Sequence, residues 1–162
     1  IDRNRDKFWT KEEFIANMRG GRGKPLLIAI RPGGQGDIPD THLKWELNRS
    51  IPEIPSILLY DGLIYMVRNG GLLSTVDAAN GQLLYRERLN APGQYSASPV
   101  AANDHIYLSS NRGVITTVKV DKEFRITHQH DLNDPVFVTP AIDKNTLYVR
   151  TEKALWAFRT ND

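Results

Sequence analysis

The rhythm of apolar and polar residues changes at Pro25. Before it, Thr10-Lys11-Glu12-Glu13 reads as a capping box, with Phe14, Ile15 and Met18 on one apolar face and Gly20-Gly21 as a stop. This predicts one short helix over Thr10–Arg19. After Pro25 no helical period recurs. Short β-rich runs follow, separated by Gly, Asn, Asp and Pro. In LLSTVDAANGQLLYRERL, residues 72–89, two apolar runs flank Asn80-Gly81, the strongest short-range signal of a hairpin. The turn is expected at Ala78–Gly81, with Gly81 left-handed. An isolated hairpin is marginal in water, so this one must pair with neighbours.

Those neighbours belong to a repeat. SILLYDGLIYMVRNGGLLSTV starts at Ser56, SPVAANDHIYLSSNRGVITTV at Ser98 and TPAIDKNTLYVRTEKALWAF at Thr139. Aligned, Tyr65, Tyr107 and Tyr148 coincide, and so do Ile57, Pro99 and Pro140, and Leu72, Val114 and Leu155. The offsets are 42 and 41 residues. A period of that length with four short strands per unit is the pattern of a β-propeller blade. The best copy predicts strands at Ser56–Tyr60, Leu63–Arg68, Leu72–Asp77 and Leu84–Leu89. The three tyrosines should occupy equivalent places on second strands, with Ile64, Ile106 and Leu147 on the opposite side. The competing fold is an antiparallel sandwich, which also shows turns every 8–12 residues or so.

The ends of the array are incomplete. KPLLIAIRP and HLKWEL resemble third and fourth strands, and the last copy stops after its third. The expected fold is therefore all-β: about three four-stranded antiparallel blades with one short N-terminal helix. The expected division is an N-terminal segment over 1–24, a partial blade over 25–50, blades over 51–91 and 92–133, and a partial blade over 134–162. The chain reads as the C-terminal half of a longer protein. Its opening IDRNRDKFW reads as an excised or processed start, with any export signal upstream.

Composition narrows the chemistry. Twenty-one Lys and Arg against nineteen Asp and Glu leave a net charge of +2, which exerts no pull toward nucleic acid. The absence of Cys excludes disulfides and thiolate metal sites. No apolar run reaches the roughly 18 residues of a membrane span.

Residues 75–85, TVDAANGQLLY, resemble the tryptophan-docking motif A-x-D-x-x-T-G-x-x-x-W of the pyrroloquinoline-quinone-like, or quinoprotein-type, β-propeller repeat superfamily. Asp77 and Gly81 match it. Thr75 stands for Ala, Asn80 for Thr and Tyr85 for Trp. TVKVDKEFRIT has lost the motif almost entirely. In the first partial copy Ala29 and Trp45 suit its ends, while Arg31 takes the Asp position. The superfamily includes quinoprotein alcohol dehydrogenases and the outer-membrane β-barrel assembly lipoprotein. The resemblance implies seven or eight blades and a periplasmic or extracellular location. It also implies a structural role for Thr75, Asp77, Asn80, Gly81 and Tyr85, which would tie blades together rather than hold a cofactor.

Other patterns carry less. GGRGKP at 20–25 has Met18 where a phosphate loop needs Gly and Pro25 where it needs Ser or Thr. RPGGQGD at 31–37 lacks dinucleotide-binding spacing, is followed by no helix, and reads as a long connection to about Thr41. His128 and His130 share one strand face but lack a third ligand, so a solvated outer strand is the reading. His42 and His105 are isolated beside turns. Arg3, Arg5, Lys7, Lys11, Arg19, Arg22 and Lys24 are interleaved with Asp2, Asp6, Glu12 and Glu13, a solvated segment. Asn48-Arg49-Ser50 is a formal glycosylation sequon.

No catalytic residue, metal ligand or cofactor-binding residue is assigned. Pyrroloquinoline quinone and calcium need a stacking floor and an oxygen cage that these residues do not suggest. The expected function is a non-catalytic propeller segment that binds a protein through its blade loops, as an interaction or assembly scaffold of the bacterial envelope. The open blade edges are expected to favour a homo-oligomer. The alternatives are a fragment of a quinone-dependent dehydrogenase and a carbohydrate- or small-ligand-binding propeller.

Overall fold

Alternating apolar residues between Gly- and Asn-bearing turns build thirteen strands among the described residues. The computed structural model describes residues 10, 11, 25–36 and 38–159. The strands are β1 (Leu27–Ile30), β2 (Leu43–Leu47), β3 (Leu58–Tyr60), β4 (Leu63–Arg68), β5 (Leu72–Asp77), β6 (Leu83–Arg88) and β7 (Val100–Ala102). They continue with β8 (His105–Ser109), β9 (Val114–Lys119), β10 (Ile126–Asp131), β11 (Ala141–Asp143), β12 (Thr146–Arg150) and β13 (Leu155–Arg159). Each connected strand reverses on its predecessor. The result is four antiparallel sheets: β1-β2, β3-β4-β5-β6, β7-β8-β9-β10 and β11-β12-β13. These are numbered sheets 1 to 4 below. The all-β blade expectation holds, and so does the order two, four, four and three strands.

Three details differ from the sequence reading. The best copy's first strand is shorter, starting at Leu58, because Ser56 and Ile57 run between sheets instead of along one. Its fourth strand lies one residue earlier, at Leu83–Arg88. The 31–41 connection contains a one-turn helix, α1 (Pro39–His42), where no helix was expected. Proline at a first helical position is already set for it. Asp37 and the predicted helix after Lys11 lie outside the described residues.

Register places the repeat marks together. Tyr65, Tyr107 and Tyr148 pair with Leu58, Val100 and Ala141 on their first strands, and with Thr75, Thr117 and Ala157 on their third. Successive side chains alternate across a strand. Leu63, Tyr65, Val67 and Leu73 of sheet 2 therefore meet Ile106, Leu108 and Val118 of sheet 3, joined by Leu89 and Tyr95. Ile64, Met66 and Val76 turn the other way, onto Leu27, Trp45 and Leu47 of sheet 1. Between sheets 3 and 4 lie Ile115, Leu132, Val136 and Val149. The core is thus three slabs, one in each space between neighbouring sheets.

Hydroxyls at the repeat period also join the sheets. The Ser56 amide donates to Ser98 Oγ at 2.8 Å, and the Ser98 amide donates to Thr139 Oγ1 at 3.0 Å. The chain leaves sheets 2 and 3 alike. The Leu89 amide donates to Gly71 O and the Leu132 amide to Gly113 O, followed by Asn90 and Asn133 at φ 54° and 52°. Asn tolerates this left-handed region better than most residues.

Candidate functional site

The docking-motif residues lie in the outer hairpin of sheet 2. The Asp77 amide donates to Gln82 O and the Gly81 amide to Asp77 O, closing the turn. Asp77 Oδ1 accepts from the Ala79 amide and Asn80 Oδ1 from the Gln82 amide, both at 2.8 Å. Gly81 sits at φ 74°, left-handed as expected of Asn-Gly. Thr75 is fully buried opposite Tyr85. Burial raises the Tyr85 phenol above its ordinary pKa, and the neighbouring Thr75 hydroxyl partly offsets this.

The contact across sheets comes from Trp45. Its Nε1 donates to Ala78 O at 3.0 Å, and its ring lies so close to Gly81 that a β-carbon there would sit 2.7 Å from it. Sheet 1 is thereby pinned to the turn of sheet 2. Tyr85 makes the corresponding contact one sheet on, with ring centroids 5.6 Å from Phe124.

Register identifies the third member of this series. Ala29 pairs with Trp45, Thr75 with Tyr85 and Thr117 with His128, each beside a β-bulge. Counting motif spacing along the chain points to Thr127. The connection before β10 is one residue longer, so pairing puts His128 in that place. The strand register could not be read without the bulge. His128 and His130 are exposed on one strand face, as the period-two reading expected. They border a hollow of about 300 Å³. Tyr107, Ile115 and Thr117 line it from sheet 3, and Leu147 and Phe158 from sheet 4. His130 meets the edge of Phe158 at 6.2 Å.

The turns at one end form a second surface. Backbone bonds from Ala78 N to Gly62 O and from Val120 N to Asp104 O set adjacent turns side by side. Asp61, Asp104, Asp121, Lys122, Glu123 and Lys144 are exposed there. Asp61, Asn103, Asp104 and Lys144 hold φ of 49° to 55°, a conformation uncommon outside Gly. Lys119 lies 3.7 Å from Asp104. The isolated histidines serve locally: His105 Nδ1 lies 2.7 Å from Asn103 O, and His42 Nδ1 lies 2.7 Å from Thr41 Oγ1. Among the described residues no group of three His, Asp or Glu is placed to hold a metal, and no helix is long and apolar enough to cross a membrane.

No family model and no curated protein matches the chain. Solved structures do. BamB from Moraxella catarrhalis matches with a TM-score of 0.65 and 16% identity, over 84% of this chain and 40% of that one. The quinohemoprotein alcohol dehydrogenase ADHIIG from Pseudomonas putida HK5 matches with a TM-score of 0.55 and 12% identity, over 66% and 23%. The computationally designed Ika4 protein gives 0.57 and 11%, over 74% and 73%. The chain thus spans less than half the length of the first two. Likeness at these identities shows the fold alone, that of β-propeller blades.

Proposed function

We propose that this chain is a non-catalytic blade array that binds a protein partner through its connecting turns, as an interaction or assembly scaffold in the bacterial envelope. The observation that carries this reading is the turn surface. It sets charged side chains on short turns with unusual backbone angles, two of which are tied to the neighbouring turn by backbone hydrogen bonds to Gly62 O and Asp104 O. Turns fixed before contact lose little entropy on binding. The chain's own apolar side chains pack the spaces between sheets 1 and 2 and between sheets 2 and 3. The likeness to BamB supports an envelope location and the scaffold role that the superfamily resemblance implies for the assembly lipoprotein.

The likeness to a quinohemoprotein alcohol dehydrogenase supports the other reading, a fragment of a quinone enzyme. Titration with pyrroloquinoline quinone, with and without Ca²⁺, separates the two. Trp9, Trp45 and Trp156 report binding by fluorescence. The scaffold reading expects no saturable quenching, and quenching that saturates at micromolar quinone would replace it with the enzyme reading. A photo-crosslinker at Asp104, on the turns, should then capture a discrete protein from envelope extract, whereas one at Arg86, on an outer strand, should not.

A further inference from the structure

Two Asn-Gly pairs lie in turns of sheet 2, Asn69-Gly70 between β4 and β5 and Asn80-Gly81 between β5 and β6. Asn-Gly is the pair most open to attack by a backbone nitrogen on the preceding side chain, because glycine sets no β-carbon beside that nitrogen. The fold holds the two pairs differently. At Asn80 both reacting groups are engaged. Its Oδ1 accepts from the Gln82 amide at 2.8 Å, and the Gly81 amide donates to Asp77 O at 2.8 Å, against the Trp45 ring. At Asn69 neither group is engaged. Among the described residues the Asn69 side chain makes no hydrogen bond and the Gly70 amide has no acceptor, since the turn closes one residue later, from the Gly71 amide to Arg68 O at 3.1 Å. Asn69 and Gly70 are both exposed. The repeat gives the reason. Asn111 takes the place of Asn69 in sheet 3, 42 residues on. Its Oδ1 accepts from the Gln94 amide at 2.8 Å. The residue 42 before Gln94 is Pro52, which has no N–H to give.

We propose that Asn69 is a site of spontaneous modification, at which the chain converts its own side-chain amide to a carboxylate. The Gly70 nitrogen gives its proton to solvent base and attacks Asn69 Cγ. The N–Cγ bond forms as the Cγ–Nδ2 bond breaks, and Nδ2 takes up a proton and leaves as ammonia. Water then opens the five-membered imide. Breaking its bond from nitrogen to Cγ leaves aspartate, and breaking its bond from nitrogen to the main-chain carbonyl carbon leaves isoaspartate. One water is consumed, one ammonia is released, and nothing is oxidised or reduced. The new carboxylate arises next to Arg68 and near Arg88, whose guanidinium donates to Gly70 O at 3.2 Å. Neither arginine has a carboxylate partner among the described residues. The reaction thus adds a negative charge to a turn that carries two unpaired positive ones, and as isoaspartate it lengthens the backbone there by one carbon.

The reaction needs no partner protein, so it stands or falls apart from the scaffold reading. The test is ageing of the folded 162-residue chain at mildly alkaline pH, followed by cleavage on the N-terminal side of aspartates. The cut before Asp77 places Asn69 and Asn80 in separate fragments. Chromatography with mass spectrometry then counts the amide, aspartate and isoaspartate forms of each. Conversion at Asn69 should be at least about tenfold faster than at Asn80, because Asn80 reacts only when its turn opens. In urea the two rates should converge, since both pairs are then equally free. Asn69→Gln, at an exposed side chain without partners among the described residues, should abolish the fast gain of mass in the whole chain. Three outcomes overturn the proposal: equal rates at the two sites in the folded chain, a fast phase that survives Asn69→Gln, or conversion of Asn69 to aspartate with no isoaspartate.

Discussion

Gly81 meets two demands at once. Its φ of 74° lies where a side chain is strained, and the Trp45 ring occupies the space a β-carbon would take. Gly81→Val should therefore cost more than about 1 kcal/mol. A lower melting temperature and red-shifted tryptophan emission, from a displaced Trp45, would register it. An unchanged melting curve would contradict the docking contact. The Asn-Gly signal was legible in the sequence. The position of the tryptophan was not, because it lies 36 residues upstream on another sheet and only the fold brings the two together. Buried phenols make a second residue-scale prediction. Burial pushes Tyr95 up to about 12 and raises Tyr65, Tyr85 and Tyr107 as well. The folded state then keeps its phenol protons where the unfolded chain, near the ordinary value of 10, loses them. The Tyr95 contribution to stability is complete below pH 10 and declines as pH rises from 10 to about 12, and the other three phenols act in the same direction. Ultraviolet titration of tyrosinate should show the native chain ionising later than the urea-unfolded chain. Coincident curves would refute this.

At the level of elements, the repeat is a set of matched devices, some written in residue identity and some only in geometry. Tyr65, Tyr107 and Tyr148 were legible because one residue type recurs at one spacing. The hydroxyl ladder through Ser56, Ser98 and Thr139 recurs at the same spacing, but its function is visible only once one sheet's amide is seen facing the next sheet's hydroxyl. The Leu-Asn pairs at 47–48, 89–90 and 132–133 carry another signal that the sequence reading passed over. The second and third of these mark the sheet exits. Ser98→Ala removes the acceptor of the Ser56 amide, which should cost about 0.5–1.5 kcal/mol, the usual net worth of such a bond. Ser98→Thr keeps an oxygen in place, as Thr139 does, and should cost less. Denaturant midpoints of the two variants, at unchanged slope, provide the comparison. Equal losses would mean the ladder is incidental. The one-turn helix α1 escaped notice because four residues cannot show a period.

Across the whole molecule, stability should follow the uneven filling of the spaces between sheets. Each sheet touches only its neighbours, so the array approximates a one-dimensional stack in which interfaces set local stability. Among the described residues, the space between sheets 2 and 3 buries nine apolar residues, whereas those on either side bury three and four. Burial stabilises roughly in proportion to apolar area removed from water, so the central interface is the strongest of the three. Sheet 1 is further weakened because Leu26, Ile28, Ile30 and Leu43 on its outer face are between 42% and 50% exposed. Among the described residues no strand pairs with the outer edge of β13. Opening should therefore begin at the ends and reach the centre last. Native-state hydrogen exchange should find the slowest amides in β4, β5, β8 and β9, with those of β1, β2 and β13 at least about tenfold faster. Leu108→Ala, at the central interface, should speed exchange in sheets 2 and 3 together, because it weakens the contact both share. Val149→Ala should speed sheet 4 and the adjoining face of sheet 3 while leaving β4 and β5 slow. Uniform exchange across all four sheets, in either variant or in the parent chain, would show a single cooperative unit and contradict the stack.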